Sequence, residues 1–122
     1  MPGNFVIAVL SYPPDVSPEV AIAFDKQDRL HVTDEYLHRV SVFDLSGKFL
    51  FKWGNRGDGA GEFDGPAGIA FDSKDNAFIA DQFNHRIQKY DSLGRFIFQW
   101  GSKGESIGQF NMPWGIGIDK ED

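Results

Sequence analysis

Two histidine–arginine pairs, His38-Arg39 and His85-Arg86, are the residues of this sequence whose types could most readily take part in catalysis or metal binding. Histidine is a common general base and a common metal ligand, so either imidazole could serve catalysis or bind a metal. The pairs lie 47 residues apart, at the same place in a repeated stretch of sequence. Because catalytic side chains seldom recur with each structural unit, the recurrence favours an architectural role. We expect no resident metal or cofactor, with His38 as the one candidate ligand.

An aspartate precedes each pair, Asp34 in the first copy and Asp81 in the second. A carboxylate at this place can accept hydrogen bonds from turn amides and pair with the arginine five residues on. We interpret six residues as one structural motif written twice: Asp34, His38, Arg39, Asp81, His85 and Arg86. If both arginines pair alike, replacing either by alanine should lower the stability by a similar amount.

Other polar clusters fit turns better than binding sites. Four aspartates repeat as Asp-x-x-Asp, which is not the alternating order of ligands in an EF-hand loop. They are Asp25, Asp28, Asp72 and Asp75. The glycine-rich stretch 54–61 lacks the Gly-Lys-Ser/Thr ending of a phosphate-binding loop and opens no helix. His31 corresponds to Phe78 in the other copy, which favours a packed or edge histidine.

The charge balance limits the classes of partner. The 122 residues include 18 acidic side chains and 12 lysine or arginine side chains, and no two of these lysines and arginines are adjacent. This surface would repel a phosphate backbone, so nucleic acid is not an expected partner. The chain has no cysteine, which excludes disulfides. The apolar stretch 5–10 is too short for a signal peptide or a membrane span, so we expect a soluble chain, and the compartment stays open.

One offset aligns the chain with itself. A shift of 47 residues superposes "LHRVSVFDLSGKFLFKWG" (37–54) on "NHRIQKYDSLGRFIFQWG" (84–101), and the register holds from Val20 onwards without a gap. Aromatic residues make up 15% of the chain, and short apolar stretches alternate with turns rich in glycine, as is typical of strands. A period in this range is typical of four-stranded propeller blades. We therefore predict an all-β chain.

The outermost strand of each unit carries aromatic residues at alternate positions, which places them on one face. They are Phe49, Phe51 and Trp53 in the first unit, and Phe96, Phe98 and Trp100 in the second. We expect both stripes to pack against a neighbouring blade. Replacing either tryptophan by alanine should then cost roughly 3 to 5 kcal/mol.

The stretch 63–104, "FDGPAGIAFDSKDNAFIADQFNHRIQKYDSLGRFIFQWGSKG", resembles the NHL repeat, the six-bladed propeller unit named for its Asn-His-Leu stretch. That slot reads Leu-His-Arg at 37–39 and Asn-His-Arg at 84–86. The likeness covers residues 18–119, and it implies blades of four antiparallel strands.

About two and a half repeats follow from this resemblance. The expected division is an outer strand and link over 1–18, repeats over 19–65 and 66–112, and the first strand of a third repeat over 113–122. Such a piece leaves two apolar blade faces bare, because each repeat needs its neighbours to bury a core. Either the sequence is an excerpt of a longer propeller, or copies assemble; three chains would close a six-bladed ring.

The resemblance implies a non-enzymatic scaffold whose loops and channel mouth bind a protein or a peptide. One alternative is a metal-dependent lyase or hydrolase, because residues 32–40 are similar to a ligand-bearing stretch of the peptide-amidating lyases, with His38 as the zinc ligand. Another ligand of that family follows the proline that opens an inner strand. Ala67 and Trp114 stand there, so that three-histidine site cannot form. RNA binding, known in some members, is disfavoured by the acidic charge.

Overall fold

The computed structural model describes residues 8–11 and 19–118 and shows an all-β chain there, as predicted. The strands are β1 (Ala8–Ser11), β2 (Glu19–Phe24), β3 (Leu30–Asp34), β4 (Arg39–Phe43), β5 (Phe49–Trp53), β6 (Asn55–Arg56), β7 (Glu62–Phe63), β8 (Pro66–Phe71), β9 (Ala77–Asp81), β10 (Arg86–Tyr90) and β11 (Phe96–Trp100). A single 3₁₀ turn, Gln82–Asn84, is the only helical element of the described residues.

The strands form two antiparallel blades. Blade 1 contains β2 to β5 in sequence order, and blade 2 contains β8 to β11 in sequence order. Each strand pairs with the next through a short turn, so the predicted four-stranded antiparallel units are confirmed. Even the irregularities repeat, because the register shifts between the last two residues of the third strand in both blades.

The turns before the outer strands show why the sequence folds in this way. Oδ1 of Asp44 accepts hydrogen bonds from the amides of Ser46 and Lys48. Asp91 does the same for Leu93 and Arg95 in blade 2. A side-chain carboxylate that accepts from the amides two and four residues on closes a tight turn and sets the pairing of the flanking strands.

The N-terminal strand departs from its expected place. The segment 1–18 was expected to hold an outer strand of a preceding blade, but β1 pairs antiparallel with β2 as a fifth strand at the inner edge of blade 1. An inner edge strand has unpaired N–H and C=O groups, and an added strand satisfies them. Residues 1–7 and 12–18, which belong to the same expected segment, lie outside the described residues.

The core lies between the two blades. Val40 and Val42 of blade 1 pack with Ile69 and Ile79 of blade 2, and all four side chains are buried. Phe63, which lies in the connection between the blades, is fully buried in the same cluster. The inner strands β2 and β8 lie side by side, so the blades share one apolar core.

Candidate functional site

Asp81 is the centre of a buried polar network in blade 2. Its carboxylate is fully buried, and its Oδ2 lies 2.7 Å from Nε of Arg86, directly across the β9–β10 pair. The side-chain amides of Gln88 and Asn84 donate to the same oxygen, at 2.9 and 3.0 Å. The amide of Asp64 donates to Oδ1 at 2.7 Å. Both oxygens are therefore satisfied, as a buried charge requires.

The same network holds the link, residues 54–65, which joins β5 to β8. The guanidinium of Arg86 donates to the carbonyls of Asp58, Gly59 and Glu62, at 2.8 to 2.9 Å. Gln88 donates to the carbonyl of Glu62 at 2.6 Å. Arg86 therefore neutralises Asp81 and clamps the backbone of the link. Its role here is structural.

The first copy of the motif is built differently, and the expectation of two equal pairs is wrong. Asp34 accepts from the amides of Tyr36 and Leu37, at 3.0 and 2.9 Å. Within the described residues no ion pair joins it to Arg39, whose Nε is buried without a hydrogen-bond partner there. Blade 1 has Ser41 where blade 2 has Gln88, so the side chain that completes the network is missing.

The two histidines occupy matching places with matching contacts. His38 and His85 have left-handed backbone angles, with φ of 54° and 53°. Nδ1 of His38 accepts from the amide of Gly65, and Nδ1 of His85 accepts from the amide of Met112, both at 3.0 Å. An Nδ1 that accepts an N–H bond leaves the ring proton on Nε2. Each imidazole thus holds the end of the following link.

The contact of His38 weighs against a role as a zinc ligand, because its Nδ1 already accepts a hydrogen bond from the amide of Gly65. His38 also lies 3.8 Å from Oδ1 of Asp64, a longer contact than a hydrogen bond. No group of three or more histidine, aspartate or glutamate side chains is placed to hold a metal within residues 8–11 and 19–118. Ala67, at a position where the lyases have a ligand, is buried on β8.

A second charged cluster, around Asp25, was not identified from the sequence as more than a turn. Oδ2 of Asp25 lies 2.7 Å from Nε of Arg29 and 3.0 Å from Nε2 of His31. Burial opposes ionisation of Asp25, but the hydrogen bonds from His31 and Arg29 outweigh it and lower the pKa to about 2. Arg29 also donates to the carbonyl of Ser92 in blade 2. The cluster therefore ties the two blades together.

The aromatic stripes are only partly buried. Phe51 and Trp53 pack against the core, and the Trp53 ring lies 4.3 Å from the ring of Tyr90 in blade 2. Phe96 also packs against the core. Phe49, Phe98 and Trp100 are 51%, 47% and 38% exposed, as expected for blade faces without a neighbour. In the described part of the chain no blade lies beyond them. The expectation of a single face is wrong, because the register shift pairs Phe98 with Lys89 and Phe96 with Tyr90, on opposite faces of β10.

Two inner strands, β2 and β8, and the segment 116–118 line an apolar cavity of about 240 Å³. The segment 113–118 was predicted to be the first strand of a third repeat, but it has no strand structure over these residues. Its lining comes from matching positions of three repeats: Ala23 and Phe24; Ile69, Ala70 and Phe71; and Ile116, Gly117 and Ile118. The third segment lies beside β8 because the Gly68 amide donates to the carbonyl of Trp114 at 2.7 Å. A Cβ at Gly68 would lie 2.5 Å from that oxygen, so this approach requires glycine. Because no single repeat forms the cavity, we take it as the candidate binding site.

Two antiparallel blades joined by a link, with their inner strands side by side, define a β-propeller module. The chain belongs to the family DUF5128, described as a 6-bladed beta-propeller, whose sequence profile matches residues 20–99. Comparison with curated proteins found no match. No helix in the described part of the chain is long and apolar enough to cross a membrane.

Proposed function

We propose that the chain is a non-enzymatic propeller scaffold, of the NHL type, that binds a protein or a peptide. The observation that carries this proposal is the cavity lined by equivalent residues of three repeats. Concave, mainly apolar sites of this kind are where proteins usually accept ligands. The NHL assignment is supported by the histidine at the same place in each repeat and by the contact that it makes.

The repeat motif supports a scaffold over an enzyme. His38 and His85 make the same backbone contact in both copies. Arg86 and Asp81 form an ion pair with each other, and Arg86 also donates to the carbonyl of Gly59 in the link. A general base must reach a substrate proton with a free lone pair, whereas the Nδ1 lone pair of each histidine is directed at a backbone amide. The chemistry of these residues is therefore used within the fold.

The lining of the cavity specifies the chemistry of the ligand. Every residue of the lining is apolar or glycine, so the matching ligand group is an aliphatic or aromatic side chain of a bound peptide. Burial of one leucine-sized side chain there would contribute roughly 1.5 to 3 kcal/mol. Affinity beyond that would come from backbone contacts at the exposed rim.

Selection from a displayed peptide library tests the proposal, followed by titration of the selected peptides. The variant Ala70→Leu fills the cavity and should weaken binding at least tenfold, and Ala60→Leu, in the exposed part of the link, is the matched control. Selected peptides should carry a large apolar residue whose replacement by serine abolishes binding. Binding that is unaffected by Ala70→Leu, or a library that yields no binder, would contradict the proposal.

A further inference from the structure

The link between the two blades contains an aspartate whose next residue must be glycine. Gly65 is buried with a φ of 69°, and a Cβ placed on it would lie 2.5 Å from the ring of Phe83. Asp64 precedes it, and the side chain of Asp64 is 35% exposed. Because glycine has no Cβ, nothing shields its amide nitrogen from the neighbouring carboxyl group. The fold thus requires, at this place, the sequence in which these two groups react most readily.

His38 lies on the amide that such a reaction uses. Its Nδ1 accepts a hydrogen bond from the amide of Gly65 at 3.0 Å, and the same nitrogen lies 3.8 Å from Oδ1 of Asp64. One imidazole nitrogen therefore faces both the proton that the amide releases and the carboxyl oxygen that receives it. Imidazole is the side chain that most often transfers protons in this way. The group on which it acts here belongs to its own chain.

The amide of Phe83 completes the arrangement. It donates to the carbonyl oxygen of Asp64 at 2.9 Å. When the nitrogen of a peptide group loses its proton, the negative charge spreads onto the carbonyl oxygen of the same group, which is the oxygen of Asp64. A fixed N–H donor at that oxygen stabilises the charge where it develops. A base and a donor thus act on the two ends of one peptide group.

The link contains a second Asp-Gly sequence, Asp58-Gly59, in a different environment. Its carbonyl also has a donor, the guanidinium of Arg86 at 2.8 Å. The amide of Gly59, however, donates to Oε1 of Glu62, at 2.8 Å. A carboxylate is a weaker base than an imidazole, so this sequence is an internal reference for the effect of His38.

The second link places the same base on a less reactive sequence. Asn111 and Met112 stand at the positions of Asp64 and Gly65, and His85 accepts from the amide of Met112 at 3.0 Å. Methionine has a Cβ, which hinders attack by its amide nitrogen on the preceding side chain. The base and the unhindered amide therefore occur together only in the first of the two links.

We propose that Asp64-Gly65 is a site at which the chain modifies itself, with His38 as the general base. Nδ1 of His38 takes the amide proton of Gly65, and the nitrogen attacks Cγ of the protonated Asp64 carboxyl group. The new N–Cγ bond closes a succinimide ring as the bond from Cγ to the hydroxyl breaks. The imidazolium returns the proton to the hydroxyl, which leaves as water, so the step needs no oxidant or reductant. Hydrolysis of the ring at its main-chain carbonyl then gives isoaspartate.

Isoaspartate at this position changes the link. The main chain then passes through the former side chain and gains one methylene group between the amide and the carbonyl of residue 64. In the unmodified chain that amide donates to Asp81 at 2.7 Å, and that carbonyl accepts from Phe83 at 2.9 Å. The added methylene group separates these two anchors, so the modified link is held less firmly between the blades.

Peptide mapping of the whole chain after incubation at mildly acidic pH tests the proposal. Trypsin releases residues 57–74, which contain both Asp-Gly sequences, and fragmentation by electron transfer shows which aspartate has become isoaspartate. Residue 64 should convert roughly tenfold faster or more in the folded chain than in denaturing urea, because only the folded chain places His38 on the amide. Folding should give residue 58 a smaller acceleration or none.

Two matched variants separate the base from the hydrogen bond. His38→Gln keeps an acceptor for the amide of Gly65 but removes the base, so conversion at Asp64 should slow roughly tenfold or more. His85→Gln makes the same change in the other copy and should leave the rate at Asp64 unchanged. Circular dichroism shows whether each variant is folded, and if His38→Gln is not, the comparison of folded and denatured wild type decides. Conversion at Asp64 that is no faster in the folded chain, or a folded His38→Gln variant with the wild-type rate, would overturn the proposal.

Discussion

Asp34 and Asp81 occupy the same position in two copies of one sequence, yet their carboxylates have different partners. Asp81 binds Arg86 and three other donors, whereas Asp34 binds two amides of its own turn. Among the described residues, only Arg86 clamps a link, through three carbonyls, and the residues that correspond to this link before blade 1 lie largely outside the described part of the chain. The role of a residue in a repeat thus depends on the neighbouring segment as well as on its own side chain.

The two arginines should therefore differ in their effect on stability. Arg86→Ala leaves the buried carboxylate of Asp81 without its counter-charge and should cost about 3 to 5 kcal/mol. Arg39→Ala should cost less than about 1 kcal/mol, because no ion pair is lost among the described residues. Urea unfolding of the two variants measures both values. Equal losses would mean that Arg39 and Asp34 form the same pair in solution.

The carboxylate of Asp25 should set part of the acid sensitivity. Its pKa is lowered to about 2, so its contribution to stability is fully present above about pH 4 and is lost as the pH falls through about 2. We expect Asp25→Asn to lose roughly 1 to 2 kcal/mol at neutral pH and to unfold with a flatter dependence on pH between 4 and 2. Thermal melts across this range measure the effect. Glu105→Gln, in an exposed position, should keep the wild-type slope.

At the scale of the strands, matching sequence does not give matching burial. Trp53 lies between blades and Trp100 lies on the open side of blade 2. Trp53→Ala should cost about 3 to 5 kcal/mol, and Trp100→Ala should cost less, about 1 to 2 kcal/mol, because its indole contacts Phe78 and Phe98 but is 38% exposed. Chemical denaturation at low protein concentration compares the two. A large loss from Trp100→Ala under these conditions would show that its indole is covered within the monomer.

The close approach of inner strands gives a sharper comparison, because Gly68 and Gly115 are equivalent positions. A Cβ at Gly68 would lie 2.5 Å from the carbonyl oxygen of Trp114, whereas one at Gly115 would meet nothing within 4 Å. Gly68→Ala should cost roughly 1 to 3 kcal/mol through overpacking, and Gly115→Ala should be neutral or slightly stabilising. Amide exchange at residue 68 should accelerate only in the Gly68 variant. Similar behaviour of both variants would place residues 113–118 away from β8.

The sequence predicts the strands within each blade, but it does not predict which distant segments lie beside them. The 47-residue offset, the turn aspartates and the alternating apolar positions predict the four strands of each blade, because these signals are local. The pairing of β1 with β2 could not be predicted from a short apolar stretch, since any unpaired edge can accept such a strand. The Asp25 cluster was missed for a related reason: Arg29 reaches the carbonyl of Ser92, 63 residues away, and no local pattern encodes that contact.

At the scale of the whole molecule, the core joins the blades into one cooperative unit. Val42 of blade 1 and Ile79 of blade 2 are both fully buried in the same cluster. Val42→Ala should cost about 1 to 3 kcal/mol and should accelerate amide exchange in β3 and β9 by the same factor. Leu93→Ala, in an exposed turn, should change neither strand. Acceleration confined to β3 would show that the blades unfold separately.

The clamp of Arg86 on the link has a consequence for the order in which the chain acquires its structure during synthesis. The link ends at residue 65, but the donors that fix it belong to residues 86 and 88, more than 20 residues later. The chain is synthesised from its N-terminus to its C-terminus. The hydrogen bonds that fix the link after blade 1 can therefore form only after most of blade 2 has been synthesised. The link after blade 1 is thus fixed by side chains of blade 2. A pause in synthesis directly after residue 65 would leave the carbonyls of the link without their hydrogen-bond donors.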